Sequence, residues 1–203
     1  MSLFRFKLLT LALCLLSAGP AAAHDAAVSA IASLIDPAKL VTLRGERAAN
    51  RRVLKCVYWL NDARSRGIEP GAVIDEAQTL NQSAQQLRAP LVGAALLRNL
   101  DIAGKLGCLT SDNLDRMRHG KSPLISRGPY SGEPAEVDHI VPLAVEPALD
   151  REIANLELLP RTLNRRKGAS MGARQRDYLE KFRRADLLQP VSGRSAPASN
   201  VGG

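Results

Sequence analysis

The chain has 203 residues, of which 45% are hydrophobic, 24% charged and 3% aromatic, and its formal net charge is +8. This length suits one domain of ordinary size or two small ones. A moderate basic excess favours polyanionic partners such as nucleic acids, because neutralising phosphates releases their counterions. Charge alone leaves a basic protein without such a partner equally open.

Residues 1–23 are predicted to be a signal peptide. A short basic region at 5–7 precedes an apolar run at 8–16, which is too short to span a bilayer, and small residues at 21–23 form a cleavage site. The mature chain should begin at His24, in the periplasm or outside the cell, without a membrane segment. Loss of the two basic residues of the peptide lowers the formal net charge from +8 to +6. An uncleaved membrane anchor is the alternative.

Two cysteines remain after removal of the signal peptide, Cys56 and Cys108. In an exported protein an isolated pair of this kind predicts a disulfide bond. The bond would close a loop of about 50 residues and stabilise the fold by roughly 4 kcal/mol on the chain-entropy model. Two unrelated buried thiols are the alternative.

The region 24–120 is predicted to be helical, because apolar residues recur there at helix-like spacing. Gly67 is expected to end the first long helix, and Pro70 lies just beyond it. The predicted helices are 41–66, 72–87, 91–106 and a short one that starts at Ser111 or Asp112 and ends near residue 119. A bundle of this kind carries no function that its pattern alone reveals.

After residue 120 the sequence changes character, and the expected fold class becomes α+β. Prolines and glycines predict a loop at 121–134. The elements expected after it are strands in 137–143 and 155–159, a helix from residue 163 and a basic helix at 174–188. The second structural region is therefore 121–189, followed by a disordered tail at 190–203.

Three short runs in this second region carry residues that suit phosphodiester hydrolysis. They read EVDHIVPL at 136–143, NLELLP at 155–160 and LNRRKG at 163–168. The reaction needs a divalent cation, a base for the attacking water and a group that orients the base. Asp138 offers a carboxylate oxygen and Asn164 an amide oxygen, and hard ligands of this kind indicate Mg²⁺ or Mn²⁺.

Asp138 and His139 are neighbours in the chain, so on a regular strand their side chains point to opposite faces. Both can serve one site only if the backbone there is irregular or if the site lies at the end of the strand. Pro142, just downstream, fits a strand that stops early.

Taken together, the three runs resemble the motif of HNH endonucleases, which have the ββα-metal fold. The resemblance covers residues 136–168 and not the helical region. It implies that His139 is the general base, that Asp138 and Asn164 bind one divalent metal ion, and that Asn155 orients the catalytic loop. Many HNH proteins also hold a structural zinc ion through Cys-x-x-Cys pairs, but no cysteine lies near the motif here, which excludes a Cys₄ site.

The expected function is therefore endonucleolytic cleavage of DNA, with RNA as the second choice. Phosphate contacts are expected from Arg165, Arg166 and Lys167, and from Arg127 in the upstream loop, although solvated surface positions are the alternative for all four. The alternative function is a catalytically inactive nucleic-acid-binding protein, or a cell-envelope adaptor, on the same scaffold. An inhibitor or immunity protein is a partner that the sequence does not identify.

Overall fold

A computed structural model describes residues 25–45, 47–81 and 86–188. Within these residues the chain forms eight α-helices, two short 3₁₀ helices and a two-stranded antiparallel sheet, which confirms the α+β class. The predicted signal peptide and the predicted disordered tail lie outside the described residues. No helix in the described ranges has both the length and the apolar character needed to cross a membrane.

Six helices make up the N-terminal region. They are α1 (Ala26–Ile35), α2 (Pro37–Val41), α3 (Asn50–Ser65), α4 (Pro70–Leu80), α5 (Arg88–Lys105) and α6 (Ser111–Arg118). Gly67 follows α3 with a φ of +80°, a left-handed conformation that suits glycine, so the predicted stop is confirmed. Pro70 instead begins α4, since the first turn of a helix needs no backbone N–H at that position.

The cap of α6 differs from the prediction. Thr110, and neither Ser111 nor Asp112, is the N-cap, and its hydroxyl accepts a hydrogen bond from the backbone N–H of Asn113 at 3.4 Å. Ser111 and Asp112 lie inside the first turn, where a carboxylate interacts favourably with the helix dipole.

The apolar core is built on α3. Val53, Val57 and Leu60 of this helix are fully buried, and α3 contacts α1, α4, α5 and α6. The same apolar cluster extends to Leu156 and Leu158 of the sheet. The helices and the strands therefore share one core, which fixes the sheet against α3 and α5.

The strands β1 (Ala135–His139) and β2 (Leu156–Pro160) pair so that Asp138 lies opposite Glu157 and His139 opposite Leu156. Two helices follow, α7 (Arg161–Lys167) and α8 (Ala173–Arg184). The first strand begins two residues earlier than predicted and ends at His139, because the backbone of Val141 pairs with a side chain, that of Asn155, and not with β2.

Asparagine side chains from the helices pair with the outer edges of both strands. Asn99 of α5, which is fully buried, donates to the carbonyl of Leu156 at 2.9 Å and accepts from the N–H of Leu158 at 2.7 Å. Asn50 of α3 donates to the carbonyl of Val137 at 2.7 Å. These amides satisfy backbone groups that a third strand would otherwise take.

Both cysteines of the helical region are free thiols in the structure, and both are fully buried. The predicted disulfide bond is therefore not formed in this structure. Burial raises the pKa of Cys56 to about 12 and that of Cys108 to about 11. A bridge between them in an oxidising compartment stays a prediction, and non-reducing peptide mapping of the exported protein tests it.

Candidate functional site

The two predicted metal ligands lie where α7 packs on one face of the sheet, with Asp138 on β1 and Asn164 on α7. Side chains alternate along a strand, so Glu136 and Asp138 of β1 share a face. On that face Asn164 Nδ2 donates to Glu136 Oε2 at 3.0 Å, and Lys167 Nζ donates to Asp138 Oδ2 at 2.5 Å. Since Asn164 and Lys167 are one turn apart on α7, the helix and the strand form two adjacent contacts. The fold thus brings Asp138 and Asn164 to the same interface between β1 and α7, where each contacts a residue of the other element.

Lys167 was predicted to contact phosphates, but the structure places its ammonium on the candidate site itself. The Nζ atom lies 2.5 Å from Asp138 Oδ2 and 2.6 Å from the carbonyl oxygen of His139. The side chains of Lys167 and Asp138 are only 13% and 12% exposed. The ammonium of Lys167 thus forms an ion pair with the carboxylate that was predicted to bind a metal ion.

Glu136 is a further oxygen donor that the motif comparison did not single out. Burial by itself would raise the pKa of Glu136, but hydrogen bonds from Asn164 and Arg161 outweigh that effect and lower it. The carboxylate therefore stays charged beside Asn164. The alternation of Glu136 and Asp138 along β1 was the signal in the sequence that could have identified it.

His139, the predicted general base, lies at the end of β1 with its ring turned toward the connection between the strands. Its Nε2 atom lies 3.0 Å from the carbonyl oxygen of Asp150. A carbonyl oxygen can only accept, so Nε2 carries the proton and Nδ1 keeps the free electron pair that a base needs. The residue is 3% exposed, and its imidazole does not lie on the face that holds Asp138, as expected for neighbours on a strand.

Asp150 is a second residue that the sequence did not single out. Besides its carbonyl, its carboxylate lies near the base, with Oδ1 3.6 Å from His139 Nε2. That oxygen is buried and has no hydrogen-bond partner within the described part of the chain. No pattern in the sequence marks Asp150, because the contact depends on how the connection between the strands folds back.

Asn155, which was predicted to orient a loop at the site, contacts the backbone that follows His139. It is fully buried, its Oδ1 accepts from the N–H of Val141 at 2.8 Å, and its Nδ2 donates to the carbonyl of Val141 at 3.0 Å. Its own carbonyl accepts from the N–H of Ile140 at 2.7 Å. Asn155 thus fixes the two residues that follow His139.

The connection that carries Asp150 and Asn155 is anchored to α5. Glu152 caps the 3₁₀ helix Ile153–Asn155 by accepting from the N–H of Ala154 at 3.0 Å. Arg88, at the start of α5, donates to the other oxygen of Glu152 at 2.9 Å, and both side chains are nearly buried. Through this ion pair the helical region positions the candidate site.

The remaining basic residues divide into two groups. Arg165 and Arg166 on the outer side of α7 are exposed, and neither forms an ion pair within the described ranges. Four basic residues of α8 form ion pairs within the protein, Arg174 with Glu157, Lys181 with Asp177, and Arg183 and Arg184 with Glu180, and the fifth, Arg176, donates to the carbonyl of Met171. Exposed Arg127 lies elsewhere, in an open pocket of about 310 Å³ that Arg64 and Thr110 also line.

The donor atoms of the candidate site fit a divalent metal ion. Among the described residues no group of three His, Cys, Asp or Glu side chains could hold one, but one predicted ligand is the amide of Asn164. Asp138 and the carbonyl of His139 already hold an ammonium group, and Asn164 Oδ1 accepts no hydrogen bond from any described residue. Oxygen donors of this kind suit Mg²⁺ or Mn²⁺.

Comparisons of this chain with protein-family models, with curated proteins and with solved structures find no match.

Proposed function

We propose that this protein is a metal-dependent endonuclease of the HNH type that hydrolyses phosphodiester bonds in DNA, with RNA as the second choice of substrate. One observation carries the proposal. His139 has its Nε2 proton directed at the carbonyl of Asp150, and the preceding residue, Asp138, belongs to an oxygen-lined cation site. Hydrolysis assisted by one metal ion needs a base of fixed tautomer and a cation site, and His139 supplies the ring of the first and, through its backbone carbonyl, one oxygen of the second.

In the proposed reaction, water attacks phosphorus while His139 Nδ1 takes its proton. The bond from phosphorus to the 3′ oxygen breaks, and that oxygen takes a proton from solvent, which leaves a 5′ phosphate and a 3′ hydroxyl. A divalent ion held by Asp138 and Asn164 would neutralise charge on the phosphate and on the leaving oxygen. Asn155 holds the backbone next to His139, and the carbonyl of Asp150 keeps the ring in one orientation.

The proposed setting is the periplasm or the exterior of the cell, without a membrane segment in the mature chain, as the N-terminal sequence predicts. Arg165 and Arg166 support a nucleic-acid substrate, since they are exposed on the helix that also carries Asn164. Contacts from such side chains to phosphates would hold the substrate over the site without reading its sequence.

A nucleic-acid-binding protein without catalysis is the second candidate, and two observations favour it. The ammonium of Lys167 occupies Asp138, and His139 is almost completely buried. Cleavage of plasmid DNA in Mg²⁺ or Mn²⁺ would support the nuclease. DNA retention on a gel in EDTA, without cleavage in metal, would support the binding protein, and the absence of both would support an adaptor.

The decisive experiment compares three variants for plasmid cleavage and for Mn²⁺ binding by calorimetry. His139→Ala should lose about 10² to 10⁴ in rate, as expected for a positioned base, while it binds Mn²⁺ like the wild type. Asp138→Ala and Asn164→Ala should bind Mn²⁺ more weakly, and raised metal concentration should partly rescue at least one of them.

His119→Ala is the matched control, because His119 is an exposed histidine at the end of α6 whose Nδ1 atom contacts only Asp115. It should cleave at the wild-type rate. If His139→Ala also cleaves at that rate, the nuclease proposal is wrong. If it binds Mn²⁺ as weakly as Asp138→Ala does, His139 is a ligand and its assignment as base is wrong.

A further inference from the structure

We propose that Lys167 is an internal cation that closes the Asp138 site in the metal-free protein and leaves it when a divalent metal ion binds. The inference rests on the proposed function, since the metal-binding role of Asp138 belongs to that proposal. It adds a residue that sets the metal affinity of the site and that the HNH motif does not assign to this task.

The contacts of Lys167 are those of an ion in an oxygen site. Its Nζ atom is held by two oxygens from adjacent residues, Oδ2 of Asp138 at 2.5 Å and the carbonyl of His139 at 2.6 Å. Both oxygens are of the type that Mg²⁺ and Mn²⁺ prefer. An ammonium and a divalent ion at Asp138 Oδ2 would repel each other at close range, so the two cations compete for this oxygen.

The surrounding charges explain why the site holds a cation in the absence of metal. Three carboxylates occupy one sheet face, because Asp138 lies opposite Glu157 and two residues after Glu136. Neighbouring like charges repel one another unless they are neutralised. The cations that neutralise them are Arg161 on Glu136, Lys167 on Asp138, and Arg174 and Arg98 on Glu157.

Among these cations, Lys167 has the side chain that can most easily give up its carboxylate to a metal ion. Arg174 contacts both oxygens of Glu157 with its planar guanidinium, a geometry that a single point charge cannot form. Lys167 has a compact ammonium on a flexible four-carbon stem. It is also the last residue of α7, and the following Gly168 has a φ of +51° and no atom within 4 Å of its missing side chain. The chain is also exposed immediately after Lys167, at residues 168–170.

The test measures Mn²⁺ affinity of the purified mature protein by calorimetry. Lys167→Met keeps the length of the stem and removes the charge, so Mn²⁺ should bind about tenfold more tightly, because apparent affinity falls with the fraction of molecules whose site is closed. Lys167→Arg retains the charge and should show no such gain. The double variant Asp138→Asn with Lys167→Met should not show the increase in Mn²⁺ affinity, which would show that the increase depends on Asp138.

Arg166→Met is the matched control. It removes the same charge from the adjacent residue, which is exposed and makes no ion pair within the described residues. Its Mn²⁺ affinity should change far less than that of Lys167→Met. Equal gains in Mn²⁺ affinity in the two variants would mean that only net charge matters, which would overturn the inference. An unchanged or weaker Mn²⁺ affinity of Lys167→Met would overturn it as well.

A second readout uses the wild-type protein and does not depend on the folding of any variant. Reductive methylation followed by mass spectrometry measures the reactivity of each lysine with and without Mn²⁺. Labelling of Lys167 should rise several-fold with Mn²⁺, whereas that of Lys121, which is exposed in the structure, should not change. Unchanged labelling of Lys167 at saturating Mn²⁺ would overturn the inference.

The two proposals can fail separately. If the wild type cleaves DNA but Lys167 shows neither response, the inference is wrong and the proposed nuclease stands. If Lys167 shows both responses in a protein that does not cleave DNA, the exchange of cations is supported and the nuclease proposal is wrong.

Discussion

The side-chain amide of Asn155 forms hydrogen bonds with both the N–H and the carbonyl of Val141. These two bonds take the place of strand pairing, so β1 ends before Val141. The motif resemblance assigned Asn155 an orienting role, and the contact with Val141 provides the geometry for it. Asp150, Glu136 and Lys167 could not be assigned in the same way. Their roles follow from contacts across the fold. In the sequence, a lysine in a basic run looks the same whether its side chain faces solvent or a carboxylate.

Asn155→Ala should destabilise the fold and impair cleavage without changing Mn²⁺ affinity. The N–H and the carbonyl of Val141 would both be left unpaired in a buried position, at a cost of about 1–3 kcal/mol for each group. Urea unfolding and Mn²⁺ calorimetry measure the two effects. Asn81→Ala is the control, since within the described residues the side-chain amide of Asn81 makes one, partly buried bond, to the carbonyl of Ala32. This variant should lose less free energy of unfolding than Asn155→Ala. A smaller loss for Asn155→Ala than for Asn81→Ala would contradict the prediction.

At the scale of elements, helix type was more predictable than helix ends. The apolar spacing that predicted a helix over 41–66 runs through the end of α2 and into α3. The break between them depends on left-handed backbone at Gly45 and Arg47, with φ of +84° and +55°, and hydrophobic spacing does not report backbone conformation. The predicted helix at 91–106 matches most of α5 because its long apolar stripe is unambiguous.

The attachment of α1 to the end of α3 should depend on pH. Asp25 caps α1 and is paired with Arg66, whose guanidinium nitrogens lie 2.6 and 2.9 Å from its two carboxylate oxygens. The hydrogen bond from Arg66 is the main cause that lowers the pKa of Asp25 from 3.8 to about 2. A carboxyl whose pKa is lower in the folded state stabilises the fold above its unfolded pKa, and the contribution is lost as the pH falls toward 2.

Arg66→Ala should therefore lower the urea midpoint at pH 6, and the difference from the wild type should shrink between pH 4 and pH 2. Arg64→Ala is the control, because the guanidinium of Arg64 contacts the uncharged amide of Asn61, and its difference from the wild type should not follow this titration. A gap between Arg66→Ala and the wild type that is as large at pH 2 as at pH 6 would count against the role of Asp25.

At the scale of the whole molecule, the basic excess is not one continuous surface. The sequence predicted two basic segments here, the helix from residue 163 and the helix at 174–188. In the structure four of the five basic residues of α8 are paired with acidic neighbours, whereas Arg165 and Arg166 are exposed without an ion pair in the described ranges. The sequence could predict the number of charges but not this division, because it depends on which side of each helix faces acidic groups.

Neutralising Arg165 and Arg166 together should flatten the salt dependence of DNA binding. Removing one side chain that neutralises a phosphate changes the slope of log affinity against log salt by about 0.9 on duplex DNA, so the double glutamine variant should change it by about 2. The double variant Arg183→Gln with Arg184→Gln removes the same charge from residues paired with Glu180 and should change the slope less. Filter binding in EDTA at several salt concentrations measures this slope. Equal changes of slope in the two double variants would contradict the distinction between the arginines of α7 and those of α8.

The asparagine bonds at the outer edges of the sheet also bear on how one molecule meets another. A two-stranded sheet has two edges, and unpaired N–H and carbonyl groups along an edge offer a template for a strand from a neighbouring chain. Asn99 covers Leu156 and Leu158, and Asn50 covers Val137, so these groups are already bonded within the same molecule. The two amides thus guard against edge-to-edge aggregation, which makes Asn99 a position where a substitution would threaten solubility at high concentration as well as folding.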